Sequence, residues 1–104
     1  MRTVAETQIF QRYASDIWTE AERDAFINWI AANSEAGDII KGSGGCRKVR
    51  WSASGRGKRG GARVIYFNVS EHTIWLLIVY TKGEFDNLPT SFLAELKQGI
   101  EDAL

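Results

Sequence analysis

Three segments in the middle of the chain have the side-chain pattern of β-strands. Residues 62–69 are rich in β-branched and aromatic side chains, and residues 73–81 are apolar on both faces, which predicts a central strand. The polar segment 70–72 is short enough to join these two strands as a hairpin. The remaining segment, 46–51, alternates between two sets of side chains: Cys46, Lys48 and Arg50 against Arg47, Val49 and Trp51.

Helical patterns flank the strands. Thr19 and Glu22 have the spacing of a capping box, which predicts the start of a helix. The apolar side chains that follow recur at helical spacing up to Asn33, and Gly37 is expected to end the helix. Near the end, Leu93, Leu96, Ile100 and Leu104 lie on one side of a helix that Asn87 or Thr90 could cap, with Pro89 near its start. Before the capping box, the pattern predicts a short strand over 7–10 and a helical turn through Tyr13, Ala14 and Ile17.

The order of these elements predicts an α+β fold. N-terminal helices precede an antiparallel meander, and a C-terminal helix follows it, so that helices cover one face of the sheet. Neither a repeat nor a linker interrupts residues 1–104, which predicts a single domain.

Charge is strongly segregated although the total is neutral. Eight basic residues and no acidic residue lie between positions 41 and 63, and the rest of the chain carries a net charge of −8. The eight are Lys41, Arg47, Lys48, Arg50, Arg56, Lys58, Arg59 and Arg63. A cationic segment this dense favours a polyanionic partner, most simply nucleic acid, although a solvated charged loop has the same composition.

Other function classes find little support in the residues. A single Cys and a single His argue against a disulfide framework and a His-rich metal site, and Cys46 has no positioned base, which favours a buried apolar role. The glycine-rich segment 55–61 is followed by a strand rather than a helix, unlike a nucleotide-binding P-loop. With no apolar leader and no apolar run long enough to cross a bilayer, we expect a cytoplasmic protein without a membrane partner.

Two motifs give the chain a family resemblance. Residues 44–51 (GGCRKVRW) and 55–67 (GRGKRGGARVIYF) closely resemble the HigB/RelE family, the toxins of type II toxin–antitoxin pairs. Residues 36–40 (AGDII) and 77–84 (LIVYTKGE) are also similar to that family. The resemblance implies a small RelE-like fold and ribosome-dependent cleavage of messenger RNA, with no obligatory metal or organic cofactor. It also implies a cognate helix-turn-helix antitoxin as partner, besides ribosomal RNA contacts.

Cleavage of RNA without a metal needs a proton-transfer group and cations that stabilise the charge developing on the phosphate. Lys58 is the candidate for proton transfer because neighbouring cations can lower the pKa of a Lys. Arg63 is expected to clamp the scissile phosphate, and the resemblance adds Lys82 as a further basic catalytic residue. The basic residues expected to bind RNA without doing chemistry are Arg47, Lys48, Arg50, Arg56 and Arg59.

Each assignment has a structural alternative. The loop cations could serve only to attract ribosomal RNA, Arg63 could pair with a carboxylate, and Lys82 could be an exposed loop residue. Tyr66 and Tyr80 fit the core better than base stacking. His72 fits an exposed turn, whereas three tryptophans read as core and Trp51 fits either role. The tryptophans read as core are Trp18, Trp29 and Trp75.

Three functions therefore compete: a messenger-RNA endonuclease toxin, a non-catalytic module of the same fold that binds antitoxin or RNA, and a gyrase-poisoning relative. The dense basic segment favours the first over the third, which would not need those cations.

Overall fold

The computed structural model describes residues 2–52, 61–81 and 88–103. The elements in chain order are β1 (Thr3–Glu6), α1 (Gln8–Ile17), α2 (Glu20–Ala32), β2 (Asp38–Ile39), β3 (Arg47–Trp51), β4 (Ala62–Asn68), β5 (Thr73–Thr81) and α3 (Thr90–Ala103). The α+β class is confirmed, and the three predicted strands are confirmed to within one residue at each end.

The five strands form one mixed sheet in the order β1-β5-β4-β3-β2. Strands β2 to β5 pair antiparallel, as the predicted meander requires. Strands β1 and β2 were not predicted, and β1 pairs parallel with β5. The sheet is therefore not purely antiparallel.

The predicted strand over 7–10 is wrong, because this segment begins helix α1. Thr7 has an extended backbone (φ −70°, ψ 163°), and its hydroxyl accepts a hydrogen bond from the backbone N–H of Phe10. This is the geometry of a helix N-cap, which satisfies a donor that the first turn otherwise leaves without a partner. Thr7 thus separates β1 from α1.

The same threonine also fixes an irregularity in β5. Ile65 lies opposite Ile78 and Tyr66 lies opposite Leu76, so Leu77 has no partner in β4. The Thr7 hydroxyl donates to the carbonyl of Leu77 at 2.7 Å, and the Thr7 N–H donates to the carbonyl of Leu76 at 3.1 Å. One residue therefore caps α1 and holds the bulge in the neighbouring strand.

Helices cover both faces of the sheet, so the expectation that they cover one face is wrong. The first core joins Phe26 and Ile30 of α2 to Val64 and other residues of the sheet. The second core joins Leu93 of α3 to Ile65 and its neighbours on the opposite face. Since β4 and β5 are apolar on both sides, a single layer of helices would leave one side in water.

The ends of the helices follow from local chemistry. The capping box predicted at Thr19 and Glu22 is present, and α2 ends at Ala32 rather than near Gly37. A glycine-rich turn then leads from β2 into β3, with Gly42, Gly44 and Gly45 all at positive φ. Helix α3 starts at Thr90, directly after Pro89. Among the described residues, no helix is long and apolar enough to cross a membrane.

Replacing Thr7 by Val should lower the free energy of unfolding by about 1–2 kcal/mol, since both the cap and the bond to the bulge are lost. Thr7→Ser keeps the hydroxyl and is the matched control. Urea denaturation of the three proteins measures the difference. An equal loss in the Ser variant would assign the effect to the methyl group and contradict the role of the hydroxyl.

Candidate nucleic-acid interface

The register of the sheet brings three of the predicted basic residues together. Lys48 is the Cα partner of Ile65, and Arg50 is the Cα partner of Arg63. Directly opposed residues of an antiparallel pair project to the same side of the sheet. Because Ile65 belongs to the second core, Lys48 and its neighbours lie on the face that carries α3. We call Lys48, Arg50 and Arg63 the cationic face.

Two arginines, Arg50 and Arg63, are directly opposed within this face. The Cβ atoms of a directly opposed pair are roughly 4.5–5.5 Å apart, and like charges at this spacing destabilise a sheet. Neither Arg50 nor Arg63 forms an ion pair within the described part of the chain. The Arg63 side chain donates a hydrogen bond from Nη1 to the carbonyl of Gly61, at 3.3 Å. The carboxylate partner offered as an alternative for Arg63 is therefore not found among residues 2–52, 61–81 and 88–103.

Arg47 lies on the other face of β3. Its guanidinium donates to the carbonyl of Gly37 at 2.7 Å and to that of Glu35 at 3.4 Å. These bonds tie the segment after α2 to the sheet. The structure thus does not bring Arg47 together with Lys48 and Arg50, although all three come from one basic motif.

Four of the predicted site residues lie outside the described residues: Arg56, Lys58, Arg59 and Lys82. Their roles stay predictions. The described residues that flank them are informative, since Ala62 is the Cα partner of both Trp51 and Thr81. The chain therefore enters and leaves segment 53–60, and enters segment 82–87, at one end of the sheet, next to the pair of Arg50 and Arg63.

A cleft lies beside the cationic face, between the sheet and the start of α3. Its volume is about 290 Å³. The lining residues are Ile40, Lys48, Ile65, Tyr80, Leu88, Thr90 and Leu93. It is therefore mainly apolar, with one cation and two hydroxyl groups.

Tyr80 connects this cleft to the arginines, since it is the Cα partner of Arg63. Its side chain is only 4% exposed. Burial raises the pKa of Tyr80, and the positive charge of Arg63 lowers it by less. The phenol is therefore protonated at neutral pH and can donate a hydrogen bond. Sequence reasoning favoured a core role for Tyr80, and burial confirms that role; its place in the cleft becomes visible only through its register with Arg63.

The other aromatic residues singled out from the sequence are structural. Tyr66 is fully buried, and its hydroxyl donates to the carbonyl of Ser34 and accepts from the N–H of Gly37, both at 2.9 Å. It is therefore not placed to stack on a base. Trp51 packs edge-on against Trp18, with ring centroids 5.6 Å apart, which resolves its role in favour of the core.

Cys46 and His72 also lie where the sequence predicts them, Cys46 in the core and His72 in an exposed turn. Cys46 is fully buried, and desolvation raises the pKa of its thiol, which disfavours the reactive thiolate. His72 lies exposed in the β4–β5 connection. In the part of the chain that the structure describes, no three His, Cys, Asp or Glu side chains come together as a metal site.

A scan against protein-family models finds none that matches the chain.

The opposed arginines predict a gain in stability when one charge is removed. Arg50→Gln should raise the free energy of unfolding by roughly 0.2–1 kcal/mol at low ionic strength, and salt should shrink the difference. Arg12→Gln, an exposed charge on α1, changes the net charge equally and is the control. Thermal unfolding at low and high salt tests this, and equal behaviour of the two variants would contradict the repulsion.

Proposed function

We propose that this protein is the toxin of a type II toxin–antitoxin pair and that it acts in the cytoplasm as a ribosome-dependent messenger-RNA endonuclease. The observation that carries the proposal is the opposition of Arg50 and Arg63 beside Lys48, with no carboxylate paired to them in the described structure. Such an arrangement costs stability unless an anion lies between the charges. The resemblance of the two basic motifs to the HigB/RelE family supports the phosphate of an RNA strand as that anion.

The reaction uses the substrate's own nucleophile. The ribose 2′-oxygen loses its proton and attacks the adjacent phosphorus, and the bond from phosphorus to the 5′-oxygen breaks. The products are a 2′,3′-cyclic phosphate and a 5′-hydroxyl. Arg63 stabilises the negative charge that grows on the phosphate oxygens, and a planar guanidinium suits this role because it can bind two oxygens at once.

The remaining steps belong to residues outside the described ranges. Lys58 is the proposed proton-transfer group, and Lys82 is the proposed second basic catalytic residue. The described residues before and after segment 53–60, and before segment 82–87, lie at the end of the sheet that carries Arg50 and Arg63, because Trp51, Ala62 and Thr81 share one row. Lys48 and Arg50 hold the RNA on the exposed part of the sheet, with Arg56 and Arg59 as further contacts.

The antitoxin is proposed as a helix-turn-helix protein that blocks this activity. A non-catalytic module with the same cationic face is the main competing function, because charge supports binding in both cases. Only an activity measurement separates the two.

Inducible expression with primer-extension mapping of cellular messenger RNA tests the proposal. The wild type should arrest growth and produce cuts inside translated frames. Arg63→Ala should reduce cutting about 100-fold or more, the usual loss when a transition-state charge contact is removed. The cutting by Arg63→Lys should lie between that of the wild type and that of Arg63→Ala, because lysine keeps the positive charge but cannot bind two phosphate oxygens with a planar guanidinium. Lys58→Ala should also abolish cutting.

Arg12→Ala is the control, since it removes an exposed positive charge on α1 that does not belong to the cationic face. Growth arrest without RNA cuts would contradict the endonuclease and point to another target. A folded protein that accumulates and neither arrests growth nor cuts RNA would leave only the binding module.

A further inference from the structure

Gly37 links the two strands that carry the cationic face, and it does so from the opposite side of the sheet. Arg47 of β3 and Tyr66 of β4 are directly opposed. The backbone N–H of Gly37 donates to the Tyr66 hydroxyl at 2.9 Å, and the carbonyl of Gly37 accepts from Nη1 of Arg47 at 2.7 Å. We call these two hydrogen bonds the Gly37 bridge.

The chain just before Gly37 is also fastened to β4. The Tyr66 hydroxyl donates to the carbonyl of Ser34 at 2.9 Å, and the side-chain amide of Asn68 donates to the same carbonyl at 3.1 Å. The bond between Gly37 and Tyr66 is buried, so loss of the hydroxyl would leave a backbone N–H without a partner. The bridge is therefore anchored firmly enough to resist movement of β3 away from β4.

Gly37 also packs directly against the backbone of the cationic face. A Cβ atom at this position would lie 2.9 Å from the carbonyl oxygen of Lys48 and 3.0 Å from Cε1 of Tyr66. A real side chain does not tolerate a contact this short, and the oxygen moves only if β3 moves. The position of Lys48 thus depends on the absence of a side chain at residue 37.

The cationic face needs a restraint of this kind. Arg50 and Arg63 are Cα partners, and like charges that are directly opposed destabilise the pairing of their strands. No carboxylate forms an ion pair with either arginine within the described residues. The Gly37 bridge lies three residues from this pair on both strands, about 10 Å along the sheet at the rise of antiparallel strands. It is therefore close enough to oppose the separation of β3 from β4.

We propose that Gly37 and Tyr66 are positioning residues, whose bridge sets the spacing of Lys48, Arg50 and Arg63 and holds the cationic face ready for an anion. Both residues act through β3 and β4, because they lie on the face of the sheet opposite to the cations. That the anion is an RNA phosphate rests on the proposed function. The spacing of the cations does not, so the two proposals can be tested separately.

Two substitutions disturb the bridge by different physical means. Tyr66→Phe removes the hydroxyl and keeps the ring, whereas Gly37→Ala keeps the hydroxyl and adds a methyl group against Lys48. The matched controls are Tyr13→Phe, which removes a hydroxyl from α1, and Gly99→Ala, which adds a methyl group to α3 where nothing lies within 4 Å. Amide NMR titration of the whole protein with pyrophosphate measures anion binding without a sugar or a base.

Tyr66→Phe and Gly37→Ala should each weaken the binding of pyrophosphate about fivefold, the equivalent of one net hydrogen bond. Both controls should bind pyrophosphate as tightly as the wild type, and the amide signals of β5 report that each variant is folded. If Gly37→Ala does not fold, the comparison of Tyr66→Phe with Tyr13→Phe decides. The proposal would be overturned by unchanged affinity in Tyr66→Phe, by an equal loss in the controls, or by a wild type that does not bind pyrophosphate.

A second measurement uses no ligand. Tyr66 and Arg50 lie on opposite faces of the sheet, so a purely structural loss at Tyr66 would simply add to the effect of Arg50→Gln. A bridge that holds the arginines together predicts a smaller rise in Tm from Arg50→Gln in the Tyr66→Phe background than in the Tyr13→Phe background. The reason is that the charges have already moved apart once the bridge is lost. Equal rises in Tm would overturn the positioning role.

Failure of the cleavage assay is a separate outcome. RNA cutting by the wild type together with equal rises in Tm would reject the positioning role alone. Weaker pyrophosphate binding in Tyr66→Phe and unequal rises in Tm, without RNA cutting by the wild type, would support the positioning role and reject the endonuclease alone.

Discussion

The burial of β5 on both faces is the constraint on which the rest of the structure depends. Six of the seven side chains from Ile74 to Tyr80 are buried, and Trp75 is partly buried. Each large apolar side chain contributes roughly 1.5–3 kcal/mol when it leaves water. Burial of these side chains stabilises the sheet only if both of its faces are covered, so α2 packs on one side and α3 on the other. Helix α1 follows β1 and supplies side chains to both cores.

The position of the candidate site follows from the same constraint. Helix α3 contacts the second core through Leu93 and leaves the exposed side chains of β3 in solvent. These side chains are Lys48 and Arg50, whereas the alternate residues of β3 pack inward. Within the described part of the chain, the cationic face is thus the part of the sheet that no helix covers, and the cleft lies at the border between the covered and the uncovered sheet.

Most of the fold could be predicted from local patterns, and the exceptions share a physical cause. Strands β4 and β5 are dense in β-branched and aromatic residues, and the capping box at Thr19 is a local signal. Strand β1 has four residues, and its parallel partner is about seventy positions away, so its pairing leaves no local pattern. The choice of sheet face for each helix is also non-local, since amphipathic spacing shows that a helix has a buried side but not what it packs against.

The candidate site was predictable to a similar extent. Lys48, Arg50 and Arg63 could be grouped from charge alone, and the register then placed them side by side. Arg47 was grouped with them from charge but lies on the other face of β3. Adjacent residues of a strand project to opposite faces, and a count of charges along the chain does not take this into account. Tyr80 and Thr90 carry no charge pattern, and their place beside the cations depends on strand pairing and on where α3 starts. For a protein with as many acidic as basic residues, the separated cationic face has one more consequence. Far from a polyanion a molecule with no net charge experiences little net attraction, but within about a Debye length its electric dipole turns the cationic side toward negative charge. An encounter with a polyanion would therefore be oriented before contact, whereas attraction at longer range is weak.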